Sequence, residues 1–527
     1  MCAKAATKLK DIPNDEGSEN PTDMFRKRQS KELVIAFSGP LGCGLDTPVA
    51  AAHQLLEKLG YKVVPIKISD FIQIAIDSRL ITLPEKEYPA GDAGRINRLQ
   101  DGGNQLRKNF KTADILAEFA VRKIAAHRTS AIPEDKPLEQ HVPTPTAYVI
   151  DQLKNPAEVA LFRTVYRNLF YLIGVLSVRE RREKRLLDKS IDAGEVARLI
   201  KRDRKEPADH GQQLDKTLEL ADFFVRNDHP NSDAVKESLS RFFRLIHGYS
   251  GLSPTQEEYG MYVAYAAGLR SACLSRQVGA AILDGKGNVL ATGRNDVPRP
   301  GGGLYGPENA TLDARCVKQE GRFCHNDRHK KALRTNVENI LHVQLAGKGI
   351  PAEDLSAIAE VIYQETRMKD LTEFSRSIHA EMDAVVSLAR STSATSIDAI
   401  LFVTTYPCHN CARHLVAAGI GRVYYIEPYE KSLATNLHSD SISSDPEAAD
   451  ARKLVFIHFE GVAPRQYLNL FKQHGERKDN GVAIADTDDL EKVVPEYLDD
   501  YQDFEAKVVK HLTGLLGHGE PMTGKAA

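Results

Sequence analysis

Short apolar, β-branched runs alternate with longer stretches of helical period over the first 230 residues. The run 32–37 (ELVIAF) leads into the loop Ser38-Gly39-Pro40-Leu41-Gly42-Cys43-Gly44-Leu45-Asp46-Thr47 and then into PVAAAHQLLEKLG, whose apolar positions recur every three to four residues. Runs at 61–68 (YKVVPIKI), 147–151 (AYVID) and 169–175 read as further strands, since unbroken apolar character marks a strand covered on both faces. The alternation predicts a doubly wound α/β domain over 31–230.

The second half follows another order. A helix over 255–274, a hairpin of 277–283 and 288–292 around Asp284-Gly285-Lys286-Gly287, a helix over 379–388, a strand over 398–405, a helix opened by Pro407 and closed by Gly419, and a strand at 422–426 are predicted. A Gly-rich start and helical patterning at 330–346 and 353–367 mark 300–373 as an insertion. The segment 426–442 reads as a loop of mixed charge, and 454–471 as a strand followed by a helix. The expected division is a mobile tail over 1–30, a linker over 231–252, a second domain over 253–475 and a C-terminal extension over 476–527.

Composition narrows the classes. A chain of 527 residues exceeds one ordinary core. A formal net charge of -2 leaves no global nucleic-acid footprint, and 7 scattered cysteines without a disulfide framework suit a reducing cytoplasm. No apolar run approaches the ~18 residues of a membrane span, and the N-terminal stretch lacks an apolar signal core, so a cytoplasmic protein without membrane association is expected.

The candidate chemistry is concentrated in His379-Ala380-Glu381 and Pro407-Cys408-His409-Asn410-Cys411. His379, Cys408 and Cys411 offer three zinc ligands and leave a fourth position open, while Glu381, not a ligand, is free to move protons. A structural zinc or a redox cysteine pair is the bland alternative, although a structural site normally adds a fourth Cys or His. The paired motifs resemble those of zinc-dependent nucleobase deaminases, in which a zinc-activated water attacks the base.

The strand, Gly-rich loop and helix at 32–59 are the setting in which backbone N–H groups of a loop cradle phosphate. Gly39, Gly42, Gly44 and Thr47, with Asp151 at the end of AYVID, are the candidate nucleotide contacts; a Gly-rich turn without ligand is the alternative. The loop resembles the P-loop of small-molecule nucleotide kinases, but Leu45 stands at the Lys position and Asp46 at the hydroxyl position. The segment from Asn155-Pro156 through the cluster Arg179, Arg181, Arg182, Lys184 and Arg185 to Arg202 and Arg204 resembles dephospho-coenzyme A kinase-like proteins, which implies a lid helix; a solvated charged face is the other reading of the cluster.

The element order of the second half resembles the cytidine deaminase fold, an α/β/α sandwich. RSACLSRQVGAAILDGKGNVLATGRNDVPRPGGG resembles deoxycytidylate deaminases in particular. That resemblance makes Asn295, otherwise a turn residue, a substrate contact and Arg276 a phosphate contact. Cys316, Cys324, His325 and His329 in the insertion are either free side chains or a second metal site, as some deoxycytidylate deaminases carry. The whole arrangement, a degenerate P-loop kinase-like domain followed by a deaminase domain, resembles bacterial antiphage dCTP/dCMP deaminases. It implies Zn2+ as cofactor, deoxycytidine nucleotides as substrates, a homo-oligomer, a regulatory nucleotide at the first domain and, in some members, an inhibitory small RNA. A polynucleotide deaminase would want a basic groove with stacking aromatics, and the chain has no Trp. A nucleotide-responsive interaction protein with structural zinc must account for Glu381 lying two residues after a ligand.

Overall fold

A computed structural model describes residues 20, 25–131, 143–204, 206, 210–228, 232–391, 394–428, 432–446, 450, 452–484 and 492–516; most of the expected tail, and the chain beyond 516, lie outside them.

Strands β1 (Leu33–Ser38), β2 (Lys62–Lys67), β3 (Thr146–Asp151), β4 (Phe170–Leu176) and β5 (Phe223–Arg226) are parallel in the order β5-β4-β1-β3-β2. β1 and β4 are buried at every position, the consequence of helices on both faces. β2 carries Pro65 and is the edge strand, where a missing N–H is tolerated. In this half, the helices of nine residues or more among the described residues are α1 (Asp46–Lys58), α2 (Ile68–Asp77), α3 (Gly91–Phe110), α4 (Ile115–Ser130), α5 (Pro156–Tyr166), α6 (Arg179–Leu187), α7 (Ala193–Arg204) and α8 (Asp233–Ile246). Leu33, Ile35 and Phe37 face α1 and α8, while Val34 and Ala36 face α2 to α5.

The linker expected over 231–252 is instead α8, whose Val235, Leu239, Phe242, Phe243 and Ile246 are buried in the core of the first sheet. Their spacing is that of an amphipathic helix.

The second sheet has the order β10-β11-β9-β8-β6-β7. β8 (Ile400–Thr405), β9 (Arg422–Glu427), β10 (Ile442–Ser443) and β11 (Leu454–His458) run parallel; β6 (Gly279–Leu283) is antiparallel to β8 and to β7 (Val289–Arg294), its hairpin partner. α9 (Gln256–Gly268) covers one face through Met261 and Ala264 against Ala281, Leu283 and Phe402. The insertion folds into α10 (His325–Gln344) and α11 (Ala352–Glu365), which pack on each other. α12 (Ala380–Ala389) and α13 (His409–Ala417) cover the opposite face, completing a three-layer sandwich. α9 ends at Gly268 rather than continuing to 274, because β6 returns directly over it: a Cβ on Gly279 would lie 1.9 Å from the carbonyl oxygen of Ala264.

The two halves are not separate bodies of chain. After β11 the chain crosses to add β12 (Gly461–Val462) antiparallel to β5. The expected C-terminal extension supplies α14 (Leu498–Leu516), which returns to α4 and α5. There Arg128, from α4, bonds Glu32 at 3.0 Å and also pairs with Glu505, while the Tyr501 hydroxyl donates to Glu32 at 2.6 Å. One apolar cluster runs from Val34 and Tyr148 through Phe224 to Phe402 and Phe459, so the cores of the two sheets are continuous.

Glu258, in the first turn of α9, is the polar pin of this junction. Its fully buried carboxylate accepts from Arg241 of α8 at 2.7 and 2.8 Å, from Val462 N–H at 2.9 Å and from Thr255 N–H at 2.8 Å. Glu258→Ala leaves the Arg241 guanidinium and the Val462 N–H without their acceptor and is expected to cost about 3 kcal/mol or more, read as a lowered denaturant midpoint. A loss below about 1 kcal/mol would show that the junction does not depend on this carboxylate.

Candidate metal centre

The N-terminal ends of α12 and α13 both meet the C-terminal end of β8. His379 is the N-cap of α12, with φ -77° and ψ 152°. Its place is set by Gly293 of β7: a Cβ there would fall 2.1 Å from the carbonyl oxygen of Ala380, so only glycine lets the helix start this close to the sheet. Cys408, after Pro407, is the N-cap of α13, and its sulfur accepts from the Cys411 N–H at 3.4 Å.

His379 Nδ1 is 3.4 Å from Cys408 Sγ and 3.3 Å from Cys411 Sγ, and the three donor atoms lie within 4.8 Å of one another. Zn–S and Zn–N bonds at a tetrahedral angle place N and S about 3.6 Å apart, so the donor set and its spacing fit zinc. Its electrostatics fit as well. The hydrogen bond with Cys411 and then the His379 ring hold the Cys408 thiol down at about 4, while the bond to Cys408 pushes the His379 ring up to about 9. The hydrogen bond with Cys408, and then burial, push the Cys411 thiol upward. A divalent ion would favour both sulfurs as thiolates.

Glu381 lies one residue into α12, buried, and its carboxyl is raised chiefly by that burial. It faces a cavity of about 470 Å³ that also reaches His379 and Cys408. Arg276, Asn295, Lys330, Thr405 and Tyr406 contribute to its wall. Asn295 accepts from the Val278 N–H at 2.7 Å and donates to the Arg276 carbonyl at 2.8 Å, which shapes the loop carrying Arg276. The Arg276 guanidinium pairs with Glu427, which also accepts from Thr405 at 2.7 Å, and lies 3.6 Å from Glu219 of the first domain. Burial, and then the charge of Glu427, push the Glu219 carboxyl up to about 7. Sequence reasoning missed Lys330, Thr405, Tyr406, Glu427 and Glu219; no local pattern marks them, because helix α10, strand ends and the other domain bring them in.

The Gly-rich loop is tightly packed by its own chain. The Leu41 N–H donates to Asp203 at 2.8 Å, and Asp203 is held by Lys154 at 2.6 Å. Arg182 donates to the Leu41 carbonyl, Arg185 to those of Gly42 and Cys43, and Asn227 to those of Cys43 and Gly44. A Cβ on Gly39 would lie 2.6 Å from Cys43 Sγ. Thr47 bonds back to the Gly44 carbonyl at 3.2 Å, and Asp151 ends β3 with its carboxyl raised by burial and by the charge of Asp46. Two arginines of the charge run thus hold the loop.

The insertion's donors form no group of three ligand atoms among the described residues. Cys316 and Cys324 are free thiols, His325 bonds Gln319 at 3.1 Å, and the His329 ring lies against Phe374. Among the described residues, the group that brings three such donors together is His379, Cys408 and Cys411.

Residues 254–427 match the family model described as the cytidine and deoxycytidylate deaminase zinc-binding region. The deoxycytidylate deaminase of Enterobacteria phage T2 is 26% identical over 172 residues, 33% of this chain and 80% of that one. ComE operon protein 2 of Bacillus subtilis is 41% identical over 56 residues, 11% of this chain and 29% of that protein. Among solved structures, the dCMP deaminase from the cyanophage S-TIM5 in complex with dCMP and dUMP aligns at 20% identity over 39% of this chain and 98% of its own, with a TM-score of 0.23. The second half of the chain is thus similar to cytidine and deoxycytidylate deaminase zinc-binding regions, and the His379, Cys408 and Cys411 group, which fits zinc, lies within the matched residues. Among the described residues, no helix is long and apolar enough to cross a membrane.

Elemental analysis of the purified chain is expected to find zinc near one per chain in the wild type and in Glu381→Ala, and below about a tenth of that in Cys411→Ala or His379→Ala. Full zinc retention in both ligand variants would contradict the assignment.

Proposed function

We propose that this protein hydrolytically deaminates deoxycytidine nucleotides, dCMP or dCTP, to the corresponding uracil nucleotides. The observation that carries the reading is the meeting of His379, Cys408 and Cys411 beside a cavity that a buried carboxylate, Glu381, which is not one of the three, lines together with His379 and Cys408. Bound zinc would supply an acidified water there. Glu381 takes a proton from the attacking water and gives it to the ring nitrogen beside C4. It then takes the second proton from the hydroxyl now on C4 and passes it to the amino group. The C4–O bond forms, the C4–N bond breaks and ammonia leaves. Burial keeps Glu381 close to the reacting atoms and away from bulk water. Asn295 positions the loop of Arg276, and Arg276 with Lys330 offers positive charge to the substrate phosphate at the wall of the cavity.

The first domain is read as a degenerate nucleotide kinase-like module. The succession of β1, Gly-rich loop and α1 supports this, and Leu45 in place of a phosphate-bridging Lys leaves it without transferase chemistry. Depletion of deoxycytidine nucleotides in antiphage defence, a homo-oligomer and control by a small RNA belong to the same proposal and rest on the resemblance of the whole chain.

Glu381→Ala is expected to lower ammonia release from dCMP and dCTP by at least 10²–10⁴-fold, the range of a lost proton shuttle, while zinc stays bound. Activity within about tenfold of wild type would contradict the mechanism.

Glu219 gives a pH dependence. Above about 7 its carboxylate is charged and competes with the substrate phosphate for Arg276; below, it is neutral and the competition is relieved. The wild-type KM for dCMP is expected to rise between pH 6 and 8 relative to that of Glu219→Gln at each pH, with kcat little changed. A KM ratio that stays flat across that range would remove Glu219 from the phosphate subsite.

A further inference from the structure

Tyr406 has a second side. Behind the catalytic cavity, and sharing Tyr406 with it, a cavity of about 500 Å³ lies between the two domains. Its first-domain wall starts at Pro40, just after β1, and Ser177, just after β4. These neighbouring strands feed connections that run in opposite directions, β1 toward β2 and β4 toward β5. Open α/β sheets take their ligands outside the carboxyl ends of strands at such a switch point.

The Gly-rich loop contributes only its edge. A Cβ on Gly42 would lie 2.6 Å from the Arg182 carbonyl oxygen, and one on Gly44 2.7 Å from Asn227 Nδ2. Both glycines are taken up in close packing, and their effect is to press α6 over the ends of β1 and β4. α6 starts at Val178 without a side-chain cap, so its positive end borders the cavity. Arg182, buried within the same wall, uses Nε to hold the Leu41 carbonyl, and burial lowers its pKa.

The opposite wall belongs to the second domain and is aromatic. The Tyr406 and Tyr425 rings meet edge to face at 4.8 Å, and Tyr425 lies 4.5 Å from the His458 ring. His458 adds a third ring to this wall. Asn436 and nearby hydroxyls add polar groups at the rim.

The charges limit the ligand. Three arginines, Arg179, Arg182 and Arg204, face four acids, Glu180, Glu183, Asp203 and Asp215. Lys154 neutralises Asp203, Arg204 pairs with Asp215 at 2.9 Å, and burial pushes the Asp215 carboxyl up to about 6. The wall is close to neutral, unsuited to a triphosphate, yet offers one buried guanidinium and one helix end to a single phosphate and an aromatic face to a base. The volume suits a ligand of that size.

The geometry points to this interdomain cavity as a second ligand site, for a nucleoside monophosphate, whose occupancy reaches the catalytic cavity through Tyr406. Tyr406 is bound by its N–H to the Glu427 carbonyl at 2.8 Å and lies two residues before Cys408, so pressure on its ring from one cavity moves the wall of the other. Binding stands independently of the deaminase reading; the coupling rests on it.

The test is equilibrium dialysis of the zinc-loaded full chain with AMP and GMP, neither of which carries cytosine, with adenosine, inorganic phosphate and ATP as comparisons. Ser444→Trp fills the cavity from one side and Asn436→Trp, at an exposed position, blocks its rim; zinc content and circular dichroism check that each is folded. At least one monophosphate is expected to bind once per chain, at least tenfold tighter than ATP, adenosine or phosphate. Its binding is expected to weaken at least tenfold in a folded Trp variant and to stay unchanged in Glu381→Ala. In the wild type the bound monophosphate is expected to change the dCMP deamination rate at least threefold. No monophosphate binding at millimolar concentration, or binding that survives both Trp variants, would overturn the site. Binding without any change in rate in an active enzyme would overturn the coupling. A chain that binds the monophosphate but deaminates nothing would keep the site and reject the deaminase reading.

Discussion

The close approach of β7 to the start of α12 is the constraint on which the metal centre depends. Gly293 allows the Ala380 carbonyl to sit where a Cβ would be, and this sets the height of His379 and Glu381 above the sheet. The β8 strand sets the height of Cys408 on the other side, one short turn beyond Thr405. With both helix starts fixed, one imidazole nitrogen and two sulfurs meet at zinc-ligand spacing. The N-terminus of α13 also favours the thiolate form of Cys408.

The opposite face of the same sheet, covered by α9, joins the first domain. Glu258 joins α8, α9 and β12, the apolar core continues from one sheet to the other, and α14 returns to the first sheet. Glu219 thereby comes within 3.6 Å of Arg276, and Tyr406 becomes a wall shared by two cavities. The His379, Cys408 and Cys411 group belongs to the second domain, but the charge at the mouth of its cavity is set in part by the first.

The metal centre was legible because its signals are local. His379 and Cys408 are helix N-caps, Pro407 marks a helix start, and Gly419, with φ of 73°, ends α13, as the chain spacing implied. The strands of both sheets were legible for a related reason, since buried parallel strands are unbroken apolar runs. The stretch expected as a linker over 231–252 holds α8, whose Val235, Leu239, Phe242, Phe243 and Ile246 carry a helical period that the sequence reading did not use. The arginines of 179–185 were read as a lid or a solvated face. Arg182 and Arg185 bond loop carbonyls more than 140 positions away, which no local pattern encodes. Glu219 and Lys330 escaped notice for the same reason.

The central claim is that one site, built from His379, Cys408, Cys411 and Glu381, adds water to a cytosine ring and expels its amino group. The most direct measurement is mass spectrometry of the nucleotide formed when the zinc-loaded chain is given dCMP and dCTP in heavy-oxygen water, with ammonia quantified in the same sample. The account predicts a uracil nucleotide carrying one heavy oxygen atom, in equal amount to the ammonia released. Unaltered cytosine nucleotides, or a product formed without ammonia or without the label, would contradict it.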